Sequence, residues 1–162
     1  MQVRRTVNEL SFLADVVVVG VANDTVIEPF AANEQIPSAA HDEIDYTNSR
    51  YARTPITVEK VLKGDPPEDL STALMHSTRR SDGTVARVRI GGGEADLRPC
   101  ERYVLFLVRG KSIWTGHYIP LGAQGIGVVQ GDTVRFETGE SIGMDKLISQ
   151  IRSPAAPPKD RK

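Results

Sequence analysis

Apolar positions along this chain recur mostly with a period of two. "VARVRI" (Val85 to Ile90) sets Ala86, Val88 and Ile90 against Arg87 and Arg89, the pattern of a strand with one wet face. In "YARTPITVEKVLKG" (Tyr51 to Gly64) Ile56 and Val58 alternate with Thr57 and Glu59, and the phase then shifts to give Val61. One extra residue near Glu59 and Lys60, a β-bulge, accounts for the shift. "LSTALMHST" (Leu70 to Thr78) reads as a further strand. Two stretches are apolar on both faces. "DVVVVGVA" (Asp15 to Ala22) is a β-branched run that suits a buried strand and suits a helix poorly. "ERYVLFLVRG" places Tyr103, Leu105 and Leu107 on one face and Val104, Phe106 and Val108 on the other, so it should be covered on both sides. "RGKS" (Arg109 to Ser112) turns into a strand "IWTGHYIPLG", and "VVQGDTVRFE" (Val128 to Glu137) reads as a second hairpin with its turn at Gly131 and Asp132. Consecutive hairpins predict an antiparallel meander. Val17, Val19, Val58, Leu105 and Phe106 are the expected core.

Helical periodicity is confined to the ends. "TVNE" (Thr6 to Glu9) fits a capping box, which predicts a short helix to about Leu13. Near the other end, Met144, Leu147, Ile148 and Ile151 recur at helical spacing within Gly143 to Arg152. Between the periodic segments, Asn23 to Arg50 shows no sustained period and reads as a long loop. "GDPPED" (Gly64 to Asp69) is a turn, its two prolines being unsuited to a central strand. Residues 153–162, with three prolines and a charged end, read as a disordered tail. Residues 1–152 then form one domain, mainly β, with short helices near its N- and C-termini. A small, bent antiparallel barrel buries that many strands without long exposed edges.

Composition narrows the function classes. A chain of 162 residues, 40% hydrophobic, suits a single domain. A net charge of −1 supplies no global positive field, which disfavours nucleic acid as a main partner. One cysteine cannot form an internal disulfide, so the fold must stand on its core. "LSFLADVVVVGVA" after Arg4 and Arg5 imitates a signal peptide, but Asp15 interrupts the apolar run, which is also short of the roughly 20 residues of a membrane span. Neither an export signal nor a transmembrane segment is read in this chain.

Candidate chemistry is sparse. Cys100 precedes a strand in a Pro-containing turn, with Glu101 opposing a thiolate, and reads as an inert turn residue rather than a nucleophile paired with His117. "HDEID" (His41 to Asp45) lacks the glycine and bidentate spacing of a calcium loop and reads as a solvated acidic loop. His76 and His117 lack the supporting ligands of a zinc site. "RIGGGEAD" (Arg89 to Asp96) lacks the lysine, hydroxyl and helix of a phosphate loop. No catalytic residue, metal or cofactor is expected. One basic and aromatic combination stands out, with Arg87 and Arg89 on one strand face and Trp114 and Tyr118 on one face of another. Brought together, these four could stack bases or sugars.

Four segments in order carry a resemblance: "ADVVVVGVA", "ITVEKVLKGD", "RPCERYVLFLV" and "GAQGIGVVQGDTV". With the final short helix they resemble an uncharacterised bacterial domain whose members show "aDvVVvGtV", "V.eVLKGd", "pGerYllFL" and "GaqG.f.v..g.v" over the span matching Ala14 to Arg152. The resemblance implies an OB-like barrel, similar in outline to the netrin and tissue-inhibitor group, in an exported or lipid-anchored protein. It also places Cys100 where the family usually has glycine. The resulting expectation is a noncatalytic binding or protein-interaction module, extracytoplasmic at the bacterial cell envelope and engaging a protein partner. The alternative is an oligonucleotide- or glycan-binding barrel using Arg87, Arg89, Trp114 and Tyr118.

Overall fold

In a computed structural model, residues 5–29, 44–80, 83, 85–87, 97–111, 114–136 and 139–152 are described, with 44–48, 78–80 and 85–87 described by backbone alone. The first helix, α1 (Val7–Leu13), begins as its sequence dictates. The Thr6 hydroxyl accepts from the Glu9 amide at 3.2 Å, and the Thr6 amide donates to the Glu9 carboxylate at 3.4 Å. Its C-terminal end is met by Lys63, whose Nζ donates to the Ser11 and Phe12 carbonyls at 2.7 and 3.3 Å. The second lysine of "VEKVLKGD" therefore closes a helix.

The strands are β1 (Val16–Ala22), β2 (Val26–Pro29), β3 (Ile44–Lys63), β4 (Ser71–Arg80), β5 (Val85–Arg87), β6 (Arg102–Arg109), β7 (Tyr118–Pro120), β8 (Ile126–Gln130), β9 (Thr133–Phe136) and β10 (Ser141–Gly143), followed by helix α2 (Met144–Arg152). Five of them close a barrel in the order β1-β3-β4-β7-β6, with β6 returning to β1. Every pair in it is antiparallel except β4 and β7, which run parallel and meet at one residue pair, Thr72 with Tyr118. Numbered along the chain, the second and third barrel strands, β3 and β4, neighbour each other, and the third meets the fifth, β7, in parallel, which is the OB-like arrangement. β7 and β8 lie end to end along one edge of β6, and β9 and β10 extend the sheet from there. β2 pairs with the upper part of β3, and β5 with the far end of β4, as a ribbon that outruns the barrel.

Two apolar layers explain why β1 and β6 carry hydrophobic residues on both faces. Val16, Val18, Ile56, Leu70, Tyr103, Leu105 and Leu107 fill the barrel interior. Val17, Val19, Val104 and Phe106 face outward and are covered by Leu10 of α1, Leu147 and Ile151 of α2, and Val134 and Phe136 of β9. The two helices are tied directly, Ser11 Oγ donating to the Ile151 carbonyl at 3.2 Å. Among the described residues no helix is long and apolar enough to cross a membrane.

Three expectations need correction. The stretch 23–50 is not a loop throughout, because β2 and the first residues of β3 lie within it. These strands belong to the ribbon, where Val26 and Ile27 are 42% and 45% exposed, so no buried face imposes an alternating pattern. The bulge in β3 exists, with Glu59 skipped between the partners of Val19 and Gly20, but a second shift skips Leu62. Leu62 is consequently buried and Val61 points out, while Val58 is half-buried rather than fully enclosed. Finally, "IWTGHYIPLG" is not a strand throughout, nor is the sheet a plain meander. Residues 114–117 form a turn, and among the described residues of this stretch only Tyr118–Pro120 is strand, drawn beside β4 by the closure of the barrel. Residues 88–90, most of the acidic loop and the tail 153–162 lie outside the described residues.

Cys100 lies exposed in the turn before β6, with φ of 69° and its amide donating to the Ala22 carbonyl at 2.8 Å. A side chain in that left-handed conformation costs roughly 1–2 kcal/mol. Glycine removes that cost while losing about 0.5–1 kcal/mol through its freer unfolded chain. Cys100→Gly should therefore raise stability by up to about 1 kcal/mol in urea denaturation, and a lower midpoint would count against the strain.

Candidate binding face on β3 and β4

Alternation along β3 sends Tyr51 and Arg53 to the outside of the barrel and Ala52, Thr54 and Ile56 toward its interior. Across the ladder Tyr51 pairs with Met75 and Arg53 with Ala73, both on the outer side of β4. The turn between β6 and β7 folds onto this surface. Gly110 N donates to the His117 carbonyl at 2.8 Å, Trp114 N to the Lys111 carbonyl at 3.1 Å, and His117 N to the Trp114 carbonyl at 2.9 Å. Gly110 permits the tight return, since a Cβ there would lie 2.1 Å from the Trp114 carbonyl oxygen.

The three rings meet edge to face. Tyr51 lies 4.9 Å from His117 at 65° and 6.1 Å from Trp114 at 85°, and Trp114 lies 6.0 Å from His117 at 86°. Glu28, reaching in from β2, braces the cluster. Tyr51 Oη donates to Glu28 Oε2 at 2.8 Å, and Arg53 Nε donates to Oε1 at 3.0 Å. A second Arg53 nitrogen lies 3.0 Å from the same carboxylate, and Nη1 donates to Ser71 Oγ at 3.3 Å.

Electrostatics follow from this packing. The Arg53 guanidinium, then the Tyr51 hydroxyl, hold the Glu28 carboxyl below its ordinary range. Burial, reinforced by Glu28, pushes the Tyr51 phenol up to about 12. Burial lowers His117, an effect Glu28 opposes and Arg53 supports. The corner thus presents a neutral imidazole, a protonated phenol, an indole and a satisfied ion pair, which suits recognition through ring surfaces beside a rigid polar fork. The His117 ring makes no hydrogen bond to a nucleophile among the described residues.

His117 has a folded value below 6.5, so the unfolded chain takes up its proton first. Its contribution to stability is full above that value and declines as pH falls beneath it. Glu28 is also depressed, so its contribution is full above 4.5 and is lost as pH drops through its folded value. The melting temperature should fall in two stages on acidification, the first removed in His117→Gln. A melting temperature that rises from pH 7 to 5.5 would contradict this.

Of the four residues put forward from sequence as a ligand-binding set, only Trp114 is described on this face. Tyr118 packs, half-buried, against the interior layer, so the two aromatics lie on opposite sides of the barrel wall. Arg87 is in β5, its backbone paired with Ser77 at the ribbon end, and Arg89 lies outside the described residues. The basic and aromatic faces are not brought together by what is described. His117 stands beside Tyr51 and Trp114, whereas the Cys100 turn is bonded to the end of β1. Sequence reasoning passed over Tyr51, Arg53 and Glu28. The alternation Tyr51–Arg53 was readable as a polar face of β3, but nothing local in "VIEP" announces Glu28 as its brace. No protein-family model matches the chain, and no curated protein matches it in sequence.

Proposed function

We propose that the chain is a noncatalytic binding module of the bacterial cell envelope, with its ligand held on the outer face of β3 and β4 against Trp114. One observation carries the reading. OB-like barrels bind on their second and third strands, using the connections between strands one and two and between strands four and five. Here β3 and β4 are the second and third barrel strands, Glu28 comes from the first of those connections, and Trp114 and His117 come from the other. The envelope location rests on the resemblance to exported domains alone.

The ligand class best suited to this surface is an uncharged saccharide chain rather than an oligonucleotide. Nucleic acid needs free cations to neutralise phosphates. At this corner the Arg53 charge is already taken by Glu28, whose carboxylate repels a phosphate. An indole flanked by fixed donors and acceptors can instead meet the apolar face and hydroxyls of a sugar. Trp114 is the only tryptophan, so its emission reports occupancy directly. Titration with neutral oligosaccharides from a glycan array should give a saturable emission change that Trp114→Ala abolishes in a calorimetric repeat. Tighter binding of a thymidine 20-mer, or sugar binding that survives Trp114→Ala, would overturn the reading.

A further inference from the structure

On the other side of β3 from Trp114, at the mouth of the barrel, lies a cavity of about 480 Å³ lined by Asp24, Thr25, Ile27, Ala52, His76, Leu97 and Pro99. Such a volume falls in the range that holds small molecules, and barrel mouths are a common place for them. Its lining is mostly apolar, through Ile27, Ala52, Leu97 and Pro99, with three polar residues. The Thr25 hydroxyl is engaged by Thr54 at 2.7 Å. The other two have no such side-chain partner. Asp24 has neither a hydrogen bond nor an ion pair among the described residues. His76 Nδ1 is sealed from solvent without a partner, a deficit that costs stability.

We propose that this cavity is a second binding site, for a small amphiphile with an apolar body and a protonated amine head. The amine supplies what the lining lacks. An ammonium carries three donors and a positive charge, which suit the unpaired Asp24 carboxylate at the rim. Its hydrocarbon body covers Leu97, Ala52 and Ile27. A carboxylic acid of the same shape meets Asp24 with like charge, and an alcohol meets it with a weaker, neutral hydrogen bond. The site is independent of the saccharide surface, because Ala52 and Tyr51 are neighbours on opposite faces of one strand.

The test is isothermal titration calorimetry of the full chain with 4-phenylbutylamine, 4-phenylbutanol and 4-phenylbutyrate, which share a body and differ in the head. The amine should bind about tenfold more tightly than the alcohol, with the acid weakest. Asp24→Asn, at an exposed position that leaves the core intact, should weaken the amine by about tenfold and bring it level with the alcohol. Ala52→Leu should weaken all three by filling the space, and Trp114 emission should stay constant throughout. Failure of the amine to bind, equal binding of the acid, or an unchanged amine affinity in Asp24→Asn would each overturn the proposal.

Discussion

Phe106→Ala is expected to destabilise the protein by about 3 to 5 kcal/mol, through lost transfer energy plus the cavity left behind. Phe106 is fully buried in the layer between β6 and the two helices. Its ring lies 6.2 Å from that of Phe136 at a tilt of 47°, so its removal also deprives β9 of a neighbour. Collapse to refill the gap is resisted from both sides, because the backbone of β6 is fixed by β1 and by β8. A domain of this size has about 5 to 15 kcal/mol in total, so the variant should be marginal at 37 °C. A thermal melt overlapping that of the parent would show that the helices do not press on β6 as described.

Gly64→Ala is the second large effect, and its cause is backbone rather than core. Gly64 has φ of 80°, and a Cβ there would lie 2.2 Å from the Asp15 carbonyl oxygen. Left-handed strain and the forced backbone shift together should cost about 2 to 5 kcal/mol. Asp15 has little freedom to retreat, because its amide donates to the Leu107 carbonyl and its carboxylate accepts from the Arg109 amide, both at 2.9 Å. Gly131, at φ of 61° with nothing within 4 Å of an added methyl, isolates the strain from the clash. Gly131→Ala should therefore lose only about 1 to 2 kcal/mol in the same urea titration. Equal losses at the two glycines would mean that β3 and β1 do not approach so closely.

The parts of the fold that were legible are those where a local pattern meets a local cause. The Thr6–Glu9 box specifies α1 through hydrogen bonds three residues apart, and the doubly apolar β1 and β6 announce layers on both sides whatever those layers are. The ribbon was not legible, because a strand without a buried face has no reason to alternate. The same holds for the binding face. Tyr51, Glu28 and Trp114 come together only because β7 closes beside β4, and nothing near Trp114 encodes a pairing with a strand so distant in the chain. Cys100 shows the opposite case. Pro99 marks the turn, and Cys100 takes the positive φ that the turn imposes.

The single residue pair joining β4 to β7 has a consequence for how the barrel breathes. At the β1–β6 closure the two strands share a six-residue register, whereas this junction depends on Thr72 and Tyr118, and the Thr72 hydroxyl beside it is buried without a partner. Amide hydrogen exchange should therefore be fastest, among the barrel strands, along β7 and the facing edge of β4, as a local opening well below the cost of global unfolding. Trp114 reaches across that junction to Tyr51 and the Ala73–Met75 side of β4. Any molecule seated there bridges the two strands, acts as a clasp where backbone pairing is thinnest, and slows exchange at β7 by its own binding free energy.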